Sequence, residues 1–177
     1  MRYAKAFFAY TEQEEASEEV FREMETLARN FAQEPRLRQC LLNPILGEED
    51  KAALLKSAVG GQVTNQTWRF IQLVMRNRRE EMLQAIALNY LALYRKARNI
   101  HQATLETVVP LAPATEERFK MLLSARTQGT VELIKRINPD LIGGFVFQMN
   151  FQQIDASVAS QLAEIKKHFT EEYRQRI

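Results

Sequence analysis

Ile100-His101-Gln102-Ala103-Thr104-Leu105-Glu106-Thr107-Val108-Val109-Pro110-Leu111 is where the periodicity of the chain changes, and its reading decides the fold. Ala103, Leu105, Thr107, Val109 and Leu111 alternate with Gln102, Thr104, Glu106 and Val108, mostly the two-residue period of a strand. Pro110 and Pro113 close it. Everything upstream repeats at three and four, the period of an amphipathic helix. A boundary near residues 98–102 therefore separates an all-helical part from one that mixes strands and helices. No Gly- or Ser-rich linker marks it, so the two parts are expected to sit close together.

Working back from the boundary, Met82, Leu83, Ile86, Tyr90, Tyr94 and Ala97 form one helical stripe. Trp68, Ile71, Val74 and Met75 form another, with Thr64 or Asn65 as its cap. Glu48, Glu49 and Asp50 suit the positive N-terminal end of a helix that runs to Val59 and stops at Gly60-Gly61. Arg36–Leu42 is short, halted by Asn43-Pro44. Val20, Phe21, Met24, Leu27, Ala28 and Phe31 form a longer stripe, ended at Glu34-Pro35 because the residue before proline disfavours helix. With Tyr3–Thr11 at the start, about six helices with short connections predict a compact bundle.

Working forward, Ala114–Gln128 is helical, with Phe119, Leu122 and Leu123 on one side, and Gly129 breaks it. Val131–Ile137 alternates again. Asn138-Pro139-Asp140 is a turn, since proline fixes φ while Asn and Asp bond their own backbone. Leu141–Met149 reads as a third strand, with Gly143-Gly144 as a structural bend within it, and Ile154 begins a short fourth. Asp155 or Ser157 caps a terminal helix carrying Val158, Leu162, Ile165 and Phe169. The expected fold is mostly α: a six-helix bundle over residues 1–100, then a small α+β domain over residues 101–177.

Composition removes several functions. The chain has 177 residues, 46% hydrophobic and 26% charged, so it folds rather than staying disordered. Its 24 basic and 22 acidic residues give no strong nucleic-acid footprint. The acidic stretch Glu12–Glu25 and the basic cluster Arg76, Arg78 and Arg79 fit solvated helix faces. No apolar run is long enough to insert in a membrane, and no secretory leader is read. The single Cys40 is expected as a small buried residue, and His101 and His168 as surface histidines. No phosphate loop, nucleophile elbow or paired-carboxylate motif is present, so no catalytic, cofactor or metal residue is assigned.

Surface for partners remains. In the first helix Ala4, Phe7, Phe8 and Thr11 make one stripe, while Tyr3, Ala6 and Tyr10 lie on a neighbouring face. In the fifth, Trp68, Ile71 and Met75 make one stripe and Phe70, Leu73 and Asn77 another. A helix apolar on two sides is either central in a core or holds another helix in a groove, and spacing alone favours the core. The terminal helix is the other candidate surface.

Val131-Glu132-Leu133-Ile134-Lys135-Arg136-Ile137-Asn138-Pro139-Asp140-Leu141-Ile142-Gly143-Gly144-Phe145-Val146-Phe147-Gln148-Met149-Asn150, followed by Ile154-Asp155-Ala156-Ser157-Val158, resembles a known C-terminal signature. It is that of the delta subunit of the F-type ATP synthase, counterpart of the mitochondrial oligomycin-sensitivity-conferring protein. Arg2-Tyr3-Ala4-Lys5-Ala6-Phe7 resembles that family's opening helix, Leu42-Asn43-Pro44-Ile45 its break between the third and fourth helices, and Val108-Val109-Pro110-Leu111 its domain-joining strand. Asn150-Phe151 stands where the family often has Gly-Asp, Ala156 where Gly is common, and Phe147 at an aliphatic position.

The resemblance implies a non-catalytic stator subunit of a proton-translocating ATP synthase, one copy per complex. It implies that residues 1–100 bind the amphipathic N-terminal helix of an alpha subunit between the first and fifth helices. Tyr3, Ala6, Tyr10, Phe70, Leu73 and Asn77 are then groove residues. It implies that residues 101–177 bind the b subunits of the peripheral stalk, with Leu162, Ile165, Phe169 and Tyr173 as the expected contacts. The expected place is the cytoplasmic face of a bacterial inner membrane, peripheral and without direct insertion. The alternative is an unrelated helical adaptor.

Overall fold

The computed structural model describes residues 1–127, 129–149, 152–163 and 166. It divides into two units, Met1–Arg98 and Asn99–Ile177. The described residues are mostly helical with a small four-stranded mixed sheet, the class the periodicities predict.

The first unit holds α1 (Arg2–Gln13), α2 (Ser17–Gln33), α3 (Pro35–Leu42), α4 (Glu48–Val59), α5 (Asn65–Arg76) and α6 (Leu83–Ala97), with a 3-10 turn at Glu80–Met82 before α6. Local chemistry sets these limits. Pro35 opens α3 at a position where a missing N–H costs nothing. Gly60, at φ 118°, ends α4 in the left-handed region. Thr64 caps α5 by accepting the Thr67 N–H on its hydroxyl at 3.3 Å. Helix α6 is the hub on which α1 and α2 both pack. Its Tyr90 is fully buried, as are Met24 and Leu27 of α2 and Leu55 of α4. Cys40 departs from expectation and is exposed. Helix α3 is only two turns long and points Leu37 and Leu41 inward, which turns Cys40 to its outer side.

The second unit opens with β1 (Ile100–Thr107), followed by α7 (Pro113–Thr127), β2 (Thr130–Ile137), β3 (Phe145–Met149) and β4 (Gln152–Asp155). The strand order is β2-β1-β3-β4. Strands β1 and β2 are parallel, joined through α7, while β3 runs antiparallel to both β1 and β4. Ala103, Leu105, Val131 and Phe147 form the buried centre of this unit, with Phe119 and Leu123 of α7 packed against them.

Three expectations need correction here. Leu122 of α7 is 71% exposed: the i, i+4 pair Phe119 and Leu123 meets the sheet, and Leu122 falls beside that narrow stripe. Strand β1 ends at Thr107, before Val109 and Leu111, because the Thr107 hydroxyl donates to the Val109 carbonyl at 2.8 Å and Pro110 has no N–H for a ladder. Strand β3 begins at Phe145, not Leu141. Asn138 accepts the Asp140 N–H and starts a 3-10 turn at Pro139–Leu141. The Gly143 N–H then bonds the Leu141 carbonyl at 2.6 Å with Ile142 at φ 63°, ψ −39°, a γ-turn of the positive-φ kind. Gly144, at φ 79°, completes the bend, and a Cβ there would strike the Ala156 carbonyl.

Candidate functional site

Two helices of the first unit frame an open trough, and their cores explain why it exists. Ala4, Phe7 and Thr11 of α1 are buried, as are Phe70, Ile71, Val74 and Met75 of α5. Phe7 and Phe70 stack, ring centroids 4.0 Å apart and planes 11° from parallel. This pair is the trough floor. Above it stand Tyr3, Ala6 and Tyr10 from α1 and Gln66, Arg69 and Leu73 from α5. The space between is about 220 Å³. Leu73 is 48% exposed although apolar. The Arg79 guanidinium, just past the end of α5, lies 5.8 Å from the Tyr3 ring at the start of α1. The two helices therefore run in opposite directions along the trough.

Each wall is tied down away from the opening. The Glu23 carboxylate of α2 accepts the Thr64 N–H at 2.6 Å and the Thr64 hydroxyl at 2.9 Å, fixing the start of α5. For α1 the anchor is Tyr90, whose hydroxyl is 2.7 Å from Thr11 Oγ1 and 3.3 Å from the Ser17 carbonyl. Burial pushes the Tyr90 hydroxyl up to about 12, so it stays neutral. Phe7 and Phe8 pack on the same ring at 5.2 and 5.7 Å between centroids.

Five of the six predicted groove residues, Tyr3, Ala6, Tyr10, Phe70 and Leu73, line this trough together. Phe70 does so as floor, only 8% exposed. Asn77 is not in the lining. It ends α5, its side-chain amide donating to the Leu73 carbonyl at 2.8 Å. Phe7, assigned to the core by spacing, is core and floor at once. Gln66 and Arg69 escaped notice because only apolar stripes were followed. Their spacing from Leu73, seven and four residues back, puts them on its face.

In the second unit Leu162 is 52% exposed. Ile165, Phe169 and Tyr173 lie outside the described residues, as do Asn150, Phe151 and His168. Residues 158–163 are helical. Of the two expected caps it is Ser157 that accepts a helical N–H, from Ser160, while Asp155 accepts the Ser157 N–H and the Ser160 hydroxyl. Those bonds, the Ser160 hydroxyl's foremost, hold the Asp155 carboxyl below its usual range. An apolar hollow of about 620 Å³ lies among Leu105, Val109, Leu111, Phe119, Ile142 and Phe145.

Among the described residues no group of three or more His, Cys, Asp or Glu is placed to hold a metal. No described helix is long and apolar enough to cross a membrane. The basic cluster is divided: Arg76 and Arg78 share a hollow with Glu48 and Glu49, while Arg79 stacks on Tyr3.

Comparison with known proteins covers most of the chain. The family model described as ATP synthase delta (OSCP) subunit matches residues 1–169. The ATP synthase subunit delta of Phocaeicola vulgatus is 41% identical over 170 residues, covering 96% of this chain and 92% of its own. The chloroplastic subunit delta of Pyropia yezoensis is 30% identical over 170 residues, covering 94% and 90%. A chain in the cryo-EM structure of the Toxoplasma gondii mitochondrial ATP synthase hexamer has the same fold. Its TM-score is 0.71 at 21% identity, over 96% of both chains.

Proposed function

The chain belongs to the ATP synthase delta (OSCP) subunit family, and from that premise we propose that the α1–α5 trough receives the amphipathic N-terminal helix of an alpha subunit. As a member it is a stator component of ATP synthase and not a catalyst by itself. The finer reading gives each unit one partner. The first unit grips the catalytic head, and the second grips the b subunits through the helix that contains Leu162. One copy per complex, at the cytoplasmic face of a bacterial inner membrane, then ties the head to the stalk.

Mechanism follows from what such a tie must do. Rotation in a proton-driven membrane sector loads torque on the head, and the head must stay still for that torque to act on its catalytic sites. A tie needs affinity and stiffness, and no reacting group. Apolar burial supplies the affinity. Each large side chain moved from water into the trough contributes on the order of 1.5–3 kcal/mol before ordering costs. The half-exposed Leu73 above a rigid ring stack is the observation that carries this reading. Stiffness comes from the Glu23–Thr64 and Tyr90–Thr11 anchors, which keep the walls at a fixed separation.

The test is capture from solubilised membranes with a tagged full-length chain. The wild type is expected to bring down alpha and b subunits together. Leu73→Asp should lose alpha and keep b, and Leu162→Asp should do the reverse. Alpha retained by Leu73→Asp contradicts the trough assignment.

A further inference from the structure

We propose that the helix seated in the trough carries carboxylates beside its apolar stripe, and that Arg69 and Arg79 select it by charge. The proposal rests on the reading of the trough as a helix dock. Arg69 is the one charged member of the described lining, exposed and without an ion pair among the described residues. Arg79 stands at the Tyr3 end, its guanidinium held over the ring. No carboxylate of this chain is in that lining. Of the chain's acids, Glu12 pairs with Arg98 at 3.1 Å, Glu23 holds Thr64, and Glu80 lies 3.9 Å from Lys51.

Two guanidinium groups therefore border an apolar opening with no acid of this chain in its lining. Once a helix covers the floor, water leaves the surroundings of Arg69, and charge pairs strengthen as the local dielectric falls. A planar guanidinium also offers a carboxylate two parallel N–H donors, so it rewards an acid at a defined position on the incoming helix. A lysine flank in the same place would meet like charge. The apolar floor supplies holding force, and the arginines decide which amphipathic helix is accepted and how fast it arrives.

The experiment measures binding to the full-length chain of two synthetic peptides. One has the sequence of the alpha-subunit N-terminal helix from the same source. The other is identical except that every Asp and Glu is replaced by Asn and Gln. The acidic peptide is expected to bind on the order of tenfold tighter in dilute buffer, the gap closing toward about 1 M salt as charges are screened. Arg69→Glu should weaken the acidic peptide by a similar factor and so close the gap between the two peptides, and Arg69→Gln should narrow that gap by less. Equal binding of both peptides to the wild type, with Arg69→Glu unchanged, overturns the charge selection and leaves the trough standing. Failure of both to bind the wild type overturns the trough and the selection together.

Discussion

The two units bury their apolar residues differently. The first has helices stacked around α6, and Met24, Leu27, Leu55, Ile71, Leu83 and Tyr90 are essentially out of solvent. The second covers part of its sheet with α7, and its described core is Ala103, Leu105, Val131, Leu141 and Phe147. Around that core Val109, Met121, Leu122, Ile137, Ile142 and Ile154 stay exposed. A helical bundle offers every element several neighbours; at the trough Leu73 is the one large aliphatic side chain left open among the described lining, while Leu42, Ile45, Met82 and Leu88 are exposed elsewhere on the unit. A small sheet with one helix across it has fewer places to hide side chains, and its apolar residues spread over the rim. The first unit thus presents a defined trough, and the second a broad apolar surface.

The largest effect should come from breaking the floor of the trough. Phe7→Ala removes a ring that is both core and stacking partner, and should cost about 3–5 kcal/mol in urea unfolding. Trp68, the only tryptophan, sits in the first unit and reports that transition. A loss under about 1 kcal/mol would mean the floor is loosely packed and the contrast between the units overstated.

Tyr90→Phe is next. Removing the hydroxyl strips Thr11 of a buried partner, at about 1–2 kcal/mol near neutral pH. Tyr90 also links stability to pH. Its folded value, pushed up to about 12, exceeds that of an unfolded tyrosine near 10. The stabilisation is then complete below pH 10 and is lost as pH rises toward 12. The advantage of wild type over Tyr90→Phe should narrow across that window, and a gap that stays constant would contradict the burial of this hydroxyl.

The smallest effect is in the second unit. Ile142 is β-branched, 67% exposed, and held at φ 63° in the γ-turn. Ile142→Gly relieves the strain while removing little buried surface, and should raise stability by about 1 kcal/mol. Thermal unfolding followed by circular dichroism checks it; a lower midpoint would show that the isoleucine packs rather than strains.

These positions also mark what was legible in the sequence. The end of α2, the limits of α3, the end of α4 and the start of α5 could be read because proline, glycine and Thr64 act on their own neighbours. The false start of β3 could not be, since a γ-turn at a β-branched residue follows no local preference. Leu122 was misplaced because periodicity shows a stripe but not how wide a stripe the neighbours cover, and Cys40 because its expectation rested on the usual burial of free cysteine rather than on its side of α3. In the trough, apolar spacing put Tyr3, Ala6 and Tyr10 on one face and Phe70, Leu73 and Asn77 on another but favoured a core reading; it was the family resemblance that made them groove residues, of which all but Asn77 line the trough. Asn77 has its side chain turned to the helix end, and Arg69, on the same face as Leu73, was passed over because only apolar residues were followed.

The most direct measurement is calorimetric titration of the full-length chain, wild type and Leu73→Asp, with the alpha-subunit N-terminal peptide. A single saturable site in the wild type, weakened at least a hundredfold in a Leu73→Asp chain with unchanged circular dichroism, is the predicted result, since a carboxylate in the trough wall would have to be buried under the incoming helix. Undiminished binding by that folded variant would contradict the account.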